Sequence, residues 1–361
     1  VVRWRTGTVT RHRNTWTGAV ELDIELDRRA PDDPEHVKAL AYTELVGTPL
    51  PGDRVVLNTN ALKAGLGTGG YAHVIAIPDR LPEDTDPVGH IVKARYTPLQ
   101  TMLLAADEEA SPHRDTLATA DDIGGMPVVA ADLHSALPAI LAGVHATRPD
   151  ARVAYVMTDG GALPAAFSRT LDALRPHLAG TVTTGQAFGG DLESTNIHTG
   201  LLAARHALGA DITITTQGPG NLGTGTTWGF SGTSTGEAVN ATTVLGGRPV
   251  GALRVTDADK RDRHQGISHH NLTAYGRVAL VPADLVLPAE LDPALREVID
   301  GQLPALTRHR VVTVDVTGLD EALRALPVKL STMGRGLDAD HAYFLTSAAA
   351  GRHAARLLPR A

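Results

Sequence analysis

The sequence predicts an α/β protein: a mainly parallel, doubly wound (Rossmann-like) sheet with a small N-terminal all-β, barrel-like domain. Three observations predict it. Residues 1–80 carry short alternating apolar runs broken by turn residues. From His90 onward, apolar runs alternate with helical stripes, a grammar that calls for parallel strands covered on both faces. Between the two, Pro78–Gly89 holds three prolines among acidic residues and reads as a connection, with 81–89 as the linker and 90–361 as the α/β domain.

In the first part, Val20, Leu22, Ile24 and Leu26 alternate with Glu21, Asp23 and Glu25, the mark of a half-buried strand. Further strands are expected at Val37–Leu45, Arg54–Asn58 and Tyr71–Ile77, with a turn at Pro51-Gly52-Asp53. Gly65, Gly67, Gly69 and Gly70 cluster between two of these and read as a hairpin loop.

In the second part, Val128–Ala131, Val153–Met157, Gly180–Thr184, Ile212–Thr216 and Val250–Thr256 read as strands. Helical stripes fall at Leu133–Val144, Leu163–Leu174, Ile197–Leu208 and Thr235–Leu245. Pro138 fits the first only if that helix starts near Ser135, because early helical positions have no intrahelical N–H partner to lose. Gly209 is placed to end the third. Beyond these come strands at Val311–Val316 and Val328–Thr332, helices at Leu291–Leu306 and Leu319–Leu326, and an alanine-rich closing helix over Asp338–Leu358.

Composition narrows the function classes. The 361 residues include no cysteine, which excludes disulfides, thiolate nucleophiles and thiolate metal sites. A net charge of −7 argues against a general polyanion-binding surface, so no nucleic acid partner is expected. No stretch approaches the ~20 apolar residues of a membrane span, and Val1–Thr10 carries no apolar signal core. The expectation is a cytoplasmic protein with no membrane association; a homo-oligomer is compatible with it.

Ligands of open parallel sheets bind beyond the carboxyl ends of the strands. Those ends carry the unusual polar residues: Asp132 and His134, then Thr158–Gly161 with Asp159, then Thr184–Gln186 leading to Asp191, Glu193 and Asn196, then Gln217, then Asp257–His264. The opposite ends look like plain turns. After Gln217 comes Gly218-Pro219-Gly220-Asn221-Leu222-Gly223-Thr224-Gly225, which matches the G-x-G-x-x-G spacing. The expected role of Gly218, Gly220, Asn221, Gly223 and Gly225 is to let an anion approach the backbone N–H groups. NAD is disfavoured, because Thr226–Thr233 separates the loop from its helix and no acidic residue stands in a ribose position. A capping box from Ser234 to Glu237 would start that helix. Trp228 and Phe230 either pin the loop or cover a ligand.

Asp257–His270 is the densest chemistry, with three histidines in seven positions. Histidine is the natural acid–base group near neutral pH and a common metal ligand. His269 and His270 are adjacent and point ~100° apart on a helix, so His264 with one of them is the expected pair. The catalytic candidates are His264, His269, Asp159 and Asp132, with Arg263 and Arg335 holding the anion. The cofactor is unknown; a divalent metal on ligands such as Asp132, His134, Asp159 and His264 is compatible, although no local zinc spacing occurs.

Gly67-Thr68-Gly69-Gly70-Tyr71, Gly218-Pro219-Gly220 through Gly232, Arg263-His264-Gln265-Gly266 with Ser268-His269-His270, and Met333-Gly334-Arg335-Gly336 together resemble a bacterial family, met largely in actinobacteria and other Gram-positives, whose domain has no established activity. The resemblance implies a shared functional core and carries over no mechanism. The expected function is a hydrolase or group transferase for a small anionic or phosphorylated metabolite, using His/Asp acid–base chemistry. The competing expectation is a nucleotide- or metabolite-binding sensor without chemistry.

Overall fold

The computed structural model describes residues 2–27, 30–31, 33–65 and 69–359. Gly67 and Thr68 of the first glycine cluster lie outside the described residues. The chain divides into two compact units: Val1–Val88, Val92–Leu103 and Ala166–Asp172 form the first, and Gly89–Ile91, Leu104–Ala165 and Ala173–Ala361 the second.

The first unit is built on a closed five-stranded barrel. Its strands are β1 (Trp4–Trp16), β2 (Ala19–Leu26), β3 (His36–Tyr42), β4 (Arg54–Asn58) and β5 (Tyr71–Ala76), in the order β1-β2-β3-β5-β4. Only β3 and β5 run parallel, an arrangement of the kind found in small OB-type Greek-key barrels. Such a likeness in architecture carries no function. The alternation read from the sequence places Val20, Leu22, Ile24 and Leu26 in the barrel core with Val55, Leu57 and Val74. Closure comes from Trp4–Thr8 of β1 pairing with β4 while β1 also pairs with β2. Strand β3 ends at Tyr42 rather than Leu45, because Thr43–Val46 turns into the helical α1; α2 (Asn60–Ala64) is a second such turn. Within this unit, Trp16 Nε1 donates to the Ala166 carbonyl at 2.6 Å, and the Arg169 guanidinium sits over the Trp16 ring. A short ribbon of β6 (Ile91–Lys93) and β7 (Thr101–Leu103) follows the barrel in sequence.

The second unit holds an eight-stranded sheet in which every described pairing is parallel. After the short α3 (Arg114–Leu117), the chain runs β8 (Pro127–Ala130), α4 (Leu137–His145), β9 (Val153–Thr158), α5 (Arg169–Leu174), β10 (Gly180–Thr183), β11 (Leu192–Glu193), α6 (Ile197–His206), β12 (Ile212–Gln217), α7 (Ser234–Val244) and β13 (Arg248–Ala252). A small antiparallel hairpin, β14 (Val255–Thr256) with β15 (Gly266–Ile267), leads to α8 (His269–Thr273). Then come β16 (Asp284–Pro288), α9 (Pro293–Gln302), β17 (Arg310–Val314), α10 (Leu319–Arg324), the hairpin β18 (Ser331–Thr332) with β19 (Arg335–Gly336), and α11 (His341–Arg356). The sheet order is β11-β10-β9-β12-β8-β13-β16-β17. The chain leaves β8 toward one edge, returns at β12, and continues toward the other edge from β13. The direction of winding therefore reverses around β8, and the loops after β12 and β13 flank a topological switch point.

Several expected elements differ. Val250–Thr256 is not one strand: β13 stops at Ala252, and Val255–Thr256 pairs with β15 instead. Strand β16 escaped the sequence reading because Pro282 and Pro288 bracket its apolar run and look like loop punctuation. The stripe over Leu163–Leu174 breaks into a 3₁₀ turn and α5, with the Ser168 hydroxyl accepting from Leu171 N–H at 2.9 Å. The helix expected over Leu291–Leu306 ends at Gln302 and finishes as a 3₁₀ turn. The Ser234–Glu237 capping box does not form, because a 3₁₀ turn at Ser231–Thr233 runs straight into α7 and Thr233 already has helical torsions. Val328–Thr332 shrinks to two residues of a hairpin whose turn is Met333-Gly334. No helix among the described residues is long and apolar enough to cross a membrane.

Candidate functional site

Three adjacent strands, β12, β8 and β13, deliver the site. Their carboxyl ends carry Gln217, Asp132 and Arg254. Gln217 Nε2 donates to the Asp132 carbonyl at 2.8 Å, tying the first two ends together. Tyr275, fully buried, donates its hydroxyl to the Ala130 carbonyl at 2.8 Å, close to the Ala252 carbonyl at 3.4 Å. Asn271 Oδ1 accepts from Arg254 N–H at 2.5 Å, and Ser268 N–H donates to the Arg254 carbonyl at 2.9 Å. The backbone at Arg254 is thus clasped by the start of α8.

The histidine segment is an excursion between β14 and β15. A 3₁₀ turn at Asp262–His264 brings His264 inward, where only 1% of it is exposed. Gly266 follows with φ +68°; a side chain there would run into Val298 and Gln302 of α9. The Gln302 amide clamps this strand, accepting from Ile267 N–H at 2.7 Å and donating to the Gln265 carbonyl at 3.0 Å. Ser268 then caps α8. Its hydroxyl accepts from His270 N–H at 3.3 Å and bonds His264 Nδ1 at 2.8 Å.

All three imidazoles meet. The ring centroids are 4.9 Å apart for His264–His269, 5.2 Å for His264–His270 and 4.3 Å for His269–His270. One ring nitrogen from each lies within 4.8 Å of the others. The expectation that His264 joins only one of the adjacent pair is therefore corrected. Backbone divergence of ~100° does not keep two long side chains apart in the first turn of a helix, where both rings can swing toward the same open end. Phe230 stacks on His270, with centroids 4.0 Å apart and planes 3° from parallel. Asn221 Nδ2 lies 3.4 Å from His270 Nδ1, and Ser231 Oγ donates to Asn221 Oδ1 at 2.9 Å. The glycine loop and the histidine segment thus share one site.

The electrostatics favour neutral imidazoles. Burial lowers His264 and His270 to about 3, and the cationic Arg254 adds to the effect in both. His269, half-buried, is also lowered, again by desolvation first and then by Arg263 and Arg254. Asp132, 2% exposed, is raised by burial against the opposing pull of Arg254. Arg254 is 3% exposed, and its Nη2 makes no hydrogen bond among the described residues; the Asp259 carboxylate stands 3.5 Å away. That carboxylate already takes two bonds from Arg261, at 2.9 and 2.8 Å. Buried polar atoms are nearly always satisfied by protein or bound water. Here Asp132 Oδ2, Gln217 Oε1, Arg254 Nη2, Asn271 Nδ2 and His269 Nε2 all lack a partner among the described residues.

A family model described as "Protein of unknown function (DUF3866)" matches residues 38–351, most of the chain, from within β3 to within α11. The chain belongs to this family. No curated protein matches it significantly. The whole constellation described above lies inside the DUF3866 match.

The remaining candidate residues of this DUF3866 member fall in different places. Asp159 is exposed and accepts from Gln186 N–H at 2.8 Å; neither it nor Asp132 belongs to the histidine ligand cluster. His134 is buried against the Tyr155 hydroxyl at 2.9 Å, and burial lowers it to about 4. Asp191, Glu193 and Asn196 serve the fold: Asp191 accepts from Thr181 N–H, Glu193 from the Thr183 hydroxyl, and Asn196 caps α6. Gly218 is buried against Ala162, whereas Gly220 and Gly225 are exposed, with φ of +90° and +80°. Gly223 pairs with Phe230 across the loop, and that closure uses the Leu222 and Thr224 N–H groups internally. Of the two loop aromatics, Phe230 joins the site, while Trp228 is half exposed under the Arg277 guanidinium at 4.2 Å. Arg263 is exposed and makes no hydrogen bond or ion pair among the described residues. Arg335 reaches the site through its hairpin but is paired with Asp340 at 2.8 Å and lies 3.6 Å from Asp259.

Sequence reasoning missed Arg254, Asn271 and Gln302. Arg254 had a usable signal: a lone arginine inside the otherwise apolar run Val250–Val255 has to be explained by a buried partner or a ligand.

Proposed function

We propose that this protein is an enzyme that hydrolyses, or transfers a group from, a small anionic metabolite carrying a phosphate or carboxylate. The observation that carries the reading is Arg254: a buried guanidinium with an unpartnered Nη2, placed at a switch point beside three neutral imidazoles. Its nearest carboxylate, Asp259 at 3.5 Å, is already bonded by Arg261, and a buried donor without a hydrogen bond is costly; a substrate anion would supply that bond. The Asn271 side chain lies against Asp132 and steadies that carboxyl beside Arg254. Arg263, exposed at the rim, draws anions in.

The division of labour follows from protonation. Neutral imidazoles present lone pairs, so they activate the attacking water rather than donate protons. Asp132, whose carboxyl burial raises against the pull of Arg254 and Asn271, is the acid placed to give a proton to the leaving oxygen. In the balanced step, water oxygen bonds to the reacting centre, the bond to the leaving group breaks, and the leaving oxygen takes the Asp132 proton. The proton released by water restores the acid.

The test is a turnover screen of the full chain against phosphorylated and carboxylated metabolites, followed by Arg254→Met and Asp132→Asn. Each variant is expected to lower kcat/KM by ~10²-fold or more, the usual scale for a lost general acid or charge-stabilising donor. Unchanged turnover in both variants would remove this reading. A metabolite that raises Tm without forming product would instead identify a sensor.

A further inference from the structure

We propose that His264, His269 and His270 form a mononuclear site for a divalent transition-metal ion of the zinc class. The proposal rests on the reading above and changes the part the imidazoles play in it: their lone pairs would hold an ion, and that ion rather than a ring nitrogen would activate the water; it is testable without a substrate.

Three features point to an ion rather than to a packed histidine cluster. First, the donor atoms are nearly in place. Ligands ~2.1 Å from a tetrahedral ion stand ~3.4 Å from one another; one nitrogen of each ring here lies within 4.8 Å of the others, so an ion would draw the three rings together. Second, His269 Nε2 is buried and unpartnered. An imidazole that was there only to pack would be expected to satisfy both nitrogens. Third, the outer contacts are those that fix a ligating ring. Ser268 Oγ holds His264 at Nδ1, leaving Nε2 for the ion. Asn221 stands at His270 Nδ1. Exchanging the amide oxygen and nitrogen of Asn221, which have the same shape, lets Oδ1 accept from His270 Nδ1–H and Nδ2 donate to Ser231 Oγ. That orientation frees His270 Nε2 as well. Phe230, stacked on His270, limits where that ring can turn.

The donor set selects the metal. Three nitrogens and no carboxylate disfavour calcium and magnesium, which need oxygen ligands, and favour zinc, copper, nickel, cobalt or iron. Three protein ligands leave at least one position for water, the pattern of catalytic rather than structural zinc. Arg254 raises the local positive potential and opposes a bare cation. An ion that keeps an anionic ligand, a hydroxide or a substrate oxygen, relieves that opposition.

The experiment uses the untagged full chain, stripped with chelator and titrated with Zn²⁺ by calorimetry and with Co²⁺ by visible absorption. One equivalent is expected to bind, with Co²⁺ giving the d–d bands of a nitrogen-ligated four- or five-coordinate ion. His264→Ala and His269→Ala are expected to weaken binding by more than about 100-fold, beyond the range for outer-shell losses. His269→Gln, at the most exposed of the three positions, keeps the test valid if an alanine variant misfolds by circular dichroism. Failure of the folded wild-type chain to bind one equivalent of either ion, or unchanged affinity in the folded variants, overturns the proposal. The two readings fail separately. Stoichiometric metal with no turnover of any anion removes the enzyme and leaves the metal site, whereas turnover that survives chelation leaves the enzyme and removes the metal.

Discussion

At the scale of single residues, Ser268 does two jobs with one hydroxyl. It caps α8 and holds the His264 ring. Ser268→Ala is therefore expected to cost ~1 kcal/mol of stability, as lost caps do, and also to weaken metal binding by ~10–100-fold, as lost outer-shell contacts do. Ser268→Thr keeps the hydroxyl and restores both. Denaturant unfolding and Zn²⁺ titration of the two variants measure the effects; a serine whose loss moves only stability is a cap and nothing more. The same residues show how far single positions were legible. Three histidines in seven positions stand out against any background of polar loops. Asp132 and Asp159 were both proposed because each follows a strand, yet one is buried beside Arg254 and the other is exposed. Strand-end position fixes which edge a residue occupies, not whether later loops will cover it. Arg254 was hidden because one arginine does not visibly interrupt an apolar run, although the strand itself ends at Ala252, two residues before it.

At the scale of elements, α4 and α11 cross in close contact. A Cβ on Gly143 would overlap the Ala348 carbonyl, and one on Gly351 would overlap the Ile140 carbonyl. The two helices approach backbone to backbone. Gly351→Ala is expected to lose about 1–3 kcal/mol through overpacking, read as a fall in the urea midpoint. Because Gly351 is far along the helix from the site-forming hairpin, the Zn²⁺ affinity of the folded variant should hold. A second pin joins β16, β17 and α11: Asp284 takes bonds from Arg310 Nε at 2.7 Å and His353 Nε2 at 2.7 Å. Burial alone would raise this carboxyl, but the bonds from Arg310 and His353 outweigh it and hold it below its ordinary value. A depressed folded value means that the contribution is complete above the unfolded pKa of ~3.9 and is lost as pH falls through the folded one. Asp284→Asn should thus destabilise at pH 7, by ~1–2 kcal/mol for a charged hydrogen bond. The difference should shrink as pH falls below about 4, where the unfolded carboxyl takes up a proton first and the folded one follows at its lower value; a difference constant with pH would deny the carboxylate this role. Element boundaries were the least legible part of the sequence. The capping box at Ser234 was sound grammar, defeated by a 3₁₀ turn that had already set the backbone.

At the scale of the whole molecule, the reading of chain direction did the most work. Alternating strand and helix patterns require parallel pairing, and parallel pairing gathers Asp132, Gln217 and Arg254 onto one edge although more than a hundred residues separate the first from the last. What the pattern could not give was the order of strands, and with it the switch point between β12, β8 and β13. Every residue of the proposed metal site, and every unpartnered atom around it, belongs to the second unit. The barrel keeps a separate core around Leu22, Ile24 and Leu57. This separation makes a prediction that single-site variants in the α/β unit cannot make. Leu22→Ala, at a fully buried barrel position, should cost ~2–5 kcal/mol of barrel stability by opening a cavity. Hydrogen exchange should accelerate across β1–β5, while the Zn²⁺ affinity of the native protein stays within about twofold, because residues of separate cores that share no partners act independently. If the barrel variant lost the metal together with its own protection, the site would need the barrel's integrity, and a search for substrates would have to include ligands that the barrel itself can hold.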